Sequence, residues 1–206
     1  MKKFNHQNTT LFVVRHWENE DNVQWILNGH RDFGLTEKWK DQATKAGEKI
    51  KALGLTIDHH YSSPLLRAQQ TAHIISTTSW VMFAHIEPDL IERDFGDLTG
   101  KPVSQLPTHY QKDDYMITRH VTYYPNPNNG ESFDQCIERA KTLIQKLCNQ
   151  HPWQSILLTC HGDIWKCIYS AWHDLHWSEG LTQFNFDNGV ILHLDNYKDH
   201  NNVILW

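Results

Sequence analysis

Two histidines far apart in the chain, each directly after an apolar run, are the residues with which this sequence can do chemistry. Arg15-His16 follows Leu11-Phe12-Val13-Val14, and His161-Gly162 follows Ile156-Leu157-Leu158-Thr159-Cys160. Apolar runs of this length read as buried strands. In open α/β sheets ligands bind beyond the carboxyl ends of strands, often at a helix N-terminus. Two imidazoles at one such edge, with Arg15 beside one of them, make an anion site that carries a nitrogen nucleophile. Taken singly, each histidine reads as packed or solvated; the shared flanking pattern joins them.

A second cation comes from Ser62-Ser63-Pro64-Leu65-Leu66-Arg67-Ala68, after Ile57-Asp58-His59-His60-Tyr61. Ser63 suits an N-cap and Pro64 the first helical position. Arg67 then falls in the first turn, where free backbone N–H groups already favour an anion. A guanidinium binds phosphate oxygens bidentately and keeps its charge. A surface salt bridge is the alternative reading of Arg67 taken alone.

Arg15-His16, Ser63-Pro64-Leu65-Leu66-Arg67-Ala68, Glu92 within Leu90-Ile91-Glu92-Arg93-Asp94-Phe95-Gly96, Gly130-Glu131-Ser132 and His161-Gly162 stand in a fixed order. That order resembles the histidine phosphatase superfamily, in the branch of cofactor-dependent phosphoglycerate mutases and fructose-2,6-bisphosphatases. The resemblance runs from residue 11 to about 170. Asn22, Gly29, Asp32, Leu35, Thr36, Gln42 and Ala43 also match. It implies a three-layer α/β sandwich, with a mainly parallel sheet and helices on both faces. It implies phosphomonoester hydrolysis through a phosphohistidine on His16, with Arg15, Arg67 and His161 binding the phosphoryl oxygens. Glu92 is then the proton donor, and Asn22, Gly162 and Trp17 are substrate contacts. Leu90, Ile91 and Phe95 are the apolar neighbours that would raise the Glu92 carboxyl by burial. Glu92 beside Arg93 also reads as a plain ion pair, and Glu131 as either a helix-dipole partner or a substrate contact. Neither metal nor cofactor is called for, since the arginines and His161 supply the charge.

The departures from the family pattern are specific. Trp17 replaces the usual Gly after Arg-His, Asn19 a Thr or Ser, and Trp39 a Gly; Asp163 and Lys166 stand where Gly and Arg are common. Glycine at a strand-to-loop turn supplies unusual backbone angles or close approach to a ligand. Trp17 there either blocks part of the pocket or forms a wall against substrate. Three other readings therefore stay open: a mutase-type phosphotransferase, a non-catalytic phosphate-binding module closed by Trp17, and a zinc protein built on the 15 histidines. His59-His60 and His173-Asp174-Leu175-His176 are the nearest to ligand clusters, but neither carries H-E-x-x-H or a cysteine at zinc spacing.

The whole chain of 206 residues reads as one domain. A net charge of −5 argues against nucleic acid or an anionic membrane as partner. The expected partner is a small phosphorylated substrate, with a homodimer left open. The absence of an apolar stretch of spanning length, a polar N-terminus and four cysteines without C-x-x-C spacing point to a cytoplasmic protein with free thiols.

Strands and helices alternate along the chain. Strand 11–14 leads through Gly29 and Gly34 to a helix capped by Thr36 that stops near Leu53 before Gly54. A strand at 57–62 precedes a helix from Pro64 to about Ser76, and 80–87 reads as a further strand. Ser132-Phe133-Asp134-Gln135 is a capping box. Its helix carries an apolar stripe of Phe133, Cys136, Ile137, Ala140, Leu143, Ile144, Leu147 and Cys148. Strand 155–160, a helix from Ile164 to about Leu175, and a hairpin of 189–194 with 203–206 complete the pattern. Such alternation argues for a mainly parallel sheet covered on both faces. Residues 94–130 interrupt it with Pro102, Pro107, Pro125 and Pro127 and four tyrosines, as a lid-like insertion does. Its position resembles the family's specificity insertion, and its shortness favours a hydrolase over a mutase.

Overall fold

The computed structural model describes residues 8–16, 19–106, 115–118, 121–183, 190–196 and 203–204. Eight strands are seen: β1 (Thr10–Arg15), β2 (His59–Ser62), β3 (His85–Ile86), β4 (Met116–Thr118), β5 (Val121–Tyr123), β6 (Ser155–Cys160), β7 (Ile191–Leu194) and β8 (Val203–Ile204). The helices are α1 (Glu20–Val23), α2 (Glu37–Ala52), α3 (Leu66–Ser79), α4 (Phe133–Gln150), α5 (Gly162–His173) and α6 (Trp177–Gln183). Six strands form one sheet in the order β3-β2-β6-β1-β7-β8. β3, β2, β6 and β1 are mutually parallel, and β7 runs antiparallel to β1 and to β8. The architecture is the expected α/β sandwich.

Alternation along β1 explains the layers. Leu11 and Val13 face a core shared with α4, α5 and α6, whereas Phe12 and Val14 face one shared with α2 and α3. Strands buried on both faces must be apolar throughout, which is why β1 and β6 read as continuous runs. All eight residues of the α4 stripe are buried, and Ser132 closes the capping box with Gln135. Leu53 ends α2, and Gly54 follows at φ +63°, the left-handed turn that glycine makes without strain.

Three local expectations need correction. The helix after β2 begins at Leu66 with Leu65 as its N-cap, not at Pro64 after Ser63. The strand expected over 80–87 is only His85–Ile86, because α3 runs on to Ser79 and ends at Trp80 in a left-handed conformation. The strand expected over 57–62 starts at His59. Within 94–130, two 3₁₀ turns (Gly96–Leu98 and Val103–Gln105) and the β4–β5 hairpin are seen, and residues 107–114 and 119–120 lie outside the described set. Gly96 sits at φ +51°, where a side chain would run into the carbonyl of Asn128. The described part of the C-terminal hairpin is β7 paired with β8. The four cysteines are free and buried.

His60 on β2 is wholly enclosed. Its ring meets Thr159 Oγ1 at 2.9 Å, Ser76 Oγ at 3.2 Å and the Met82 carbonyl at 3.3 Å. Burial lowers its pKa from 6.5 to about 4, against a smaller opposing effect of the Met82 carbonyl. The unfolded chain therefore takes up a proton below about pH 6.5 that the folded chain refuses until about pH 4. Stability falls as pH drops through that window, by roughly 3 kcal/mol from this residue. Burial lowers His161 and His151 too, and both act in the same direction. Urea unfolding at about pH 7 and about pH 4.5 should show this loss in the wild type and a shallower one in His60→Gln. Equal slopes would remove His60 from the account.

Candidate functional site

The two histidines meet because their strands are neighbours in register. Arg15 pairs with Cys160 at the end of β1 and β6, and the His16 backbone N–H donates to the Cys160 carbonyl at 2.8 Å. His16 and His161 each follow directly, and their rings pack edge to face with centroids 4.8 Å apart. Both are buried, His161 completely. His161 is also the N-cap residue of α5, so the second imidazole stands at a helix N-terminus at the sheet's carboxyl edge.

Arg67, in the first turn of α3, is fully buried and so is no surface salt bridge. Its Nη1 donates to the Arg31 carbonyl at 2.6 Å and its Nη2 to the Gly29 carbonyl at 2.9 Å, which holds the fork rigid. Its Nε donates to His16 Nε2 at 3.1 Å. A guanidinium has no acceptor, so His16 Nε2 must present a lone pair to it. Burial lowers the Arg67 pKa to about 10, with Glu92 and Asp32 acting against the shift, so the group stays charged at neutral pH. A guanidinium thus fixes the state of His16 Nε2.

Ser63 has a different task from the helix cap expected of it. Its hydroxyl lies 2.6 Å from His161 Nε2 and accepts the Leu65 N–H at 3.3 Å. A hydroxyl that donates to Nε2 leaves the His161 hydrogen on Nδ1, the tautomer that offers a donor to an anion. Among the described residues, Nδ1 is one of four buried side-chain polar atoms without a protein partner, and Arg15 Nε is another. Unpaired buried donors cost free energy and call for an explanation. Two such atoms, one of them on a guanidinium, lie beside the buried Arg67, an arrangement suited to an anion. Burial, followed by the charges of His16, Arg67 and Arg15, holds the His161 pKa well below 6.5, so its ring is neutral.

Glu92 is buried against the first turn of α5. Oε1 accepts the N–H groups of Arg93 (2.9 Å), Asp163 (3.1 Å) and Ile164 (3.1 Å), and Oε2 makes one longer contact to Asp163 N at 3.3 Å. Its partners are backbone donors, not the side chains of Leu90, Ile91 and Phe95 as expected; Leu90 belongs to the core and Arg93 stacks on Phe95. Nor does Glu92 pair with Arg93, whose Nε goes to Asp163 Oδ2 at 3.0 Å. Glu131 forms a two-pronged bond with Arg139, which in turn holds the carbonyls of Asp89 and Ile91. That fastens the approach to Glu92. Sequence reasoning missed Arg93, Asp163 and Arg139; a basic residue directly after Glu92 and an Asp–Lys pair three apart on α5 were the available signals.

Asn22 closes a reciprocal capping box with Asn19, which thus caps α1 as the family's Thr or Ser would. Asn22 also lines a cavity of about 380 Å³ with Trp25, Thr36, Lys38 and Trp39. Gly162 passes beneath Arg15, where an added Cβ would lie 3.5 Å from Nε, an ordinary contact. Its small size is therefore not demanded by Arg15. Trp17 lies outside the described residues. No group of three or more His, Cys, Asp or Glu placed to hold a metal occurs among the described residues, and no described helix is long and apolar enough to cross a membrane.

A family model for the histidine phosphatase superfamily (branch 1) matches residues 11–206. A 2,3-bisphosphoglycerate-dependent phosphoglycerate mutase of Bartonella quintana is 32% identical over 178 residues, covering 84% of this chain and 86% of the relative. Phosphoglycerate mutase-like protein 4 of Arabidopsis thaliana is 31% identical over 160 residues, 77% and 69% of the two chains. Among solved structures, a mycobacterial glucosyl-3-phosphoglycerate phosphatase superposes with a TM-score of 0.76 at 23% identity, covering 90% of this chain and 92% of its own. The alpha-ribazole phosphatase of Shigella flexneri gives 0.74 at 24% identity, with 90% of each chain covered. At these identities the structures speak for the fold.

Ser63→Ala tests the reading of the His161 tautomer. It should redistribute the imidazole ¹⁵N shifts of His161 and weaken inorganic phosphate binding roughly five- to tenfold, the worth of one neutral hydrogen bond. Unchanged shifts and affinity would take Ser63 out of the site.

Proposed function

The chain belongs to the histidine phosphatase superfamily, and on that premise we propose that it is a phosphomonoesterase acting on a small phosphorylated metabolite through a phosphohistidine on His16. One observation carries the reading: the His16 Nε2 lone pair is held by Arg67, beside the buried, unpartnered nitrogens Arg15 Nε and His161 Nδ1. A nucleophile ringed by donors fits a phosphoryl group, whose transition state spreads charge over three equatorial oxygens.

In the first step the Nε2 lone pair attacks phosphorus in line with the leaving oxygen. The P–O bond breaks, and the Arg67 Nε hydrogen bond passes from Nε2 to a phosphoryl oxygen. Arg15, Arg67 and His161 donate to the equatorial oxygens. Glu92, protonated at Oε2, the less engaged oxygen, delivers its proton to the leaving group. In the second step Glu92 takes a proton from water. The water oxygen bonds to phosphorus, and the P–N bond breaks with its electron pair returning to Nε2. No step draws on a metal.

The names of the curated relatives favour a second reading, a mutase in which the phosphohistidine passes its group to another hydroxyl. The short insertion does not separate the two. A stretch of 178 residues makes up 86% of the Bartonella relative, so that protein is close to this chain in length.

A panel of phosphate esters with labelled phosphorus, assayed beside His16→Ala and in chelator, addresses the nucleophile. Acid-labile, base-stable label should appear on the wild type and not on His16→Ala, with released phosphate as the product. Label persisting in the variant would remove His16 as nucleophile, label retained on an isomeric ester would favour the mutase, and loss of rate in chelator would break the charge accounting. Glu92→Gln should cost most on alkyl phosphates, by about two orders of magnitude, and least on an aryl phosphate, whose leaving oxygen needs little protonation. An equal loss on both would reduce Glu92 to a structural role.

A further inference from the structure

Two of the departures from the family pattern, Asp163 and Lys166, are buried and bonded into the segment that carries Glu92. Asp163 Oδ2 pairs with Arg93 Nε at 3.0 Å, and Oδ1 lies 3.9 Å from Lys166 Nζ. Lys166 Nζ donates to the Tyr123 hydroxyl at 2.5 Å and stands 4.5 Å from that ring's centroid. Arg93 is 2% exposed, packs 4.0 Å from the Phe133 ring centroid, and donates from Nη1 to the carbonyls of Tyr124 and Glu131. The Asp163 backbone N–H is itself one of the donors to the Glu92 carboxylate. One residue thus holds Glu92 with its main chain and the residue after Glu92 with its side chain.

We propose that Asp163 is a positioning residue for the proton-transfer step, and that Lys166 and Tyr123 extend its hold to the insertion hairpin. This deepens the reading of Glu92 as general acid and rests on it. The physical reason is geometric. Proton transfer needs Oε2 within hydrogen-bond reach of the leaving oxygen; among the described residues the Glu92 carboxylate is held by main-chain N–H groups, contacts that a shift of the 92–93 segment would break, while His30 Nε2 meets the Glu92 carbonyl at 2.8 Å. The Arg93–Asp163 pair, shielded from water between Phe133 and α5, resists that shift more firmly than an exposed pair would. Tyr123, the last residue of β5, and Tyr124 beside it are joined to the same chain of bonds. The hydrogen bonds that hold Arg93 go to Asp163, Tyr124 and Glu131 and not to Arg15, Arg67 or His161, so phosphate binding is expected to change little.

The experiment compares Asp163→Asn and Tyr123→Phe with Glu92→Gln and wild type on an alkyl and an aryl phosphate, with vanadate affinity and thermal unfolding measured alongside. Asp163→Asn is expected to lower kcat on the alkyl ester about tenfold or more, leave the aryl ester within about threefold, and leave vanadate affinity unchanged. Asp163→Glu is expected to recover part of the loss. Tyr123→Phe, which removes one hydroxyl and keeps the ring, is expected to show the same selectivity at about threefold, and decides the matter should Asp163→Asn fail to fold. Equal losses on both esters, or weakened vanadate binding, while Glu92→Gln remains leaving-group dependent, would overturn the positioning role alone. Leaving-group independence of Glu92→Gln itself would overturn the general-acid reading and this inference with it.

Discussion

Parallel pairing of β1 with β6 sets the distance on which the site depends. The ladder ends at Arg15 opposite Cys160, and one further main-chain bond, His16 N–H to Cys160 O, carries the register one residue past the strands. Side chains in such a ladder have no freedom to drift along the strand, since a slip of one residue sends every side chain to the opposite face. The penalty for a slip is large here because both faces of β1 are buried, one against α4 and α5 and the other against α2 and α3. Core packing therefore enforces the spacing of the two imidazoles.

Around that pair the chain buries charge on a scale that needs many partners. Arg67 and Arg93 are among the largest fully buried side chains. Each is surrounded by main-chain carbonyls as well as a carboxylate or an imidazole: Arg67 by those of Gly29 and Arg31, Arg93 by those of Tyr124 and Glu131. Carbonyls of loops supply fixed partial charge without the rotamer entropy that a second ionised side chain would lose. Leaving any such ion unpaired would be strongly destabilising, which gives the loops at 29–31 and 124–131 a structural duty beyond connecting elements.

The strand ends, the Arg67 turn and the α4 capping box were legible in the sequence because each is local. An apolar run, a Ser-x-x-Gln spacing or a first-turn position is fixed by residues within one element. What sequence alone misplaced depends on contacts between elements. Ser63 has the chemistry of a cap, but its hydroxyl is drawn to His161, 98 residues away, and α3 begins two residues later than Pro64 suggested. The apolar neighbours of Glu92 in sequence point elsewhere in space, and its partners come from α5. Asp163 and Lys166 looked like losses of the family pattern, and their use is visible only once Arg93 and Tyr123 are beside them. The strand assigned to 80–87 is shortened to His85–Ile86, and Trp80 at its start is the left-handed cap that ends α3.

Both long helices that start at the sheet's carboxyl edge begin with a carboxylate from elsewhere in the chain. Asp32 accepts the Leu66 N–H at the start of α3, and Glu92 accepts two N–H groups at the start of α5. The helix-end partial charges, each worth up to about half a unit charge, are thus spent internally. A dianion bound as proposed would be gripped by two guanidiniums and an imidazole that its surroundings keep uncharged. That is a moderate hold for so basic a cluster. Under the proposed hydrolysis, which frees an inorganic anion at the end of every cycle, a tighter grip would lengthen the dwell time of product and turn the last step into the slow one.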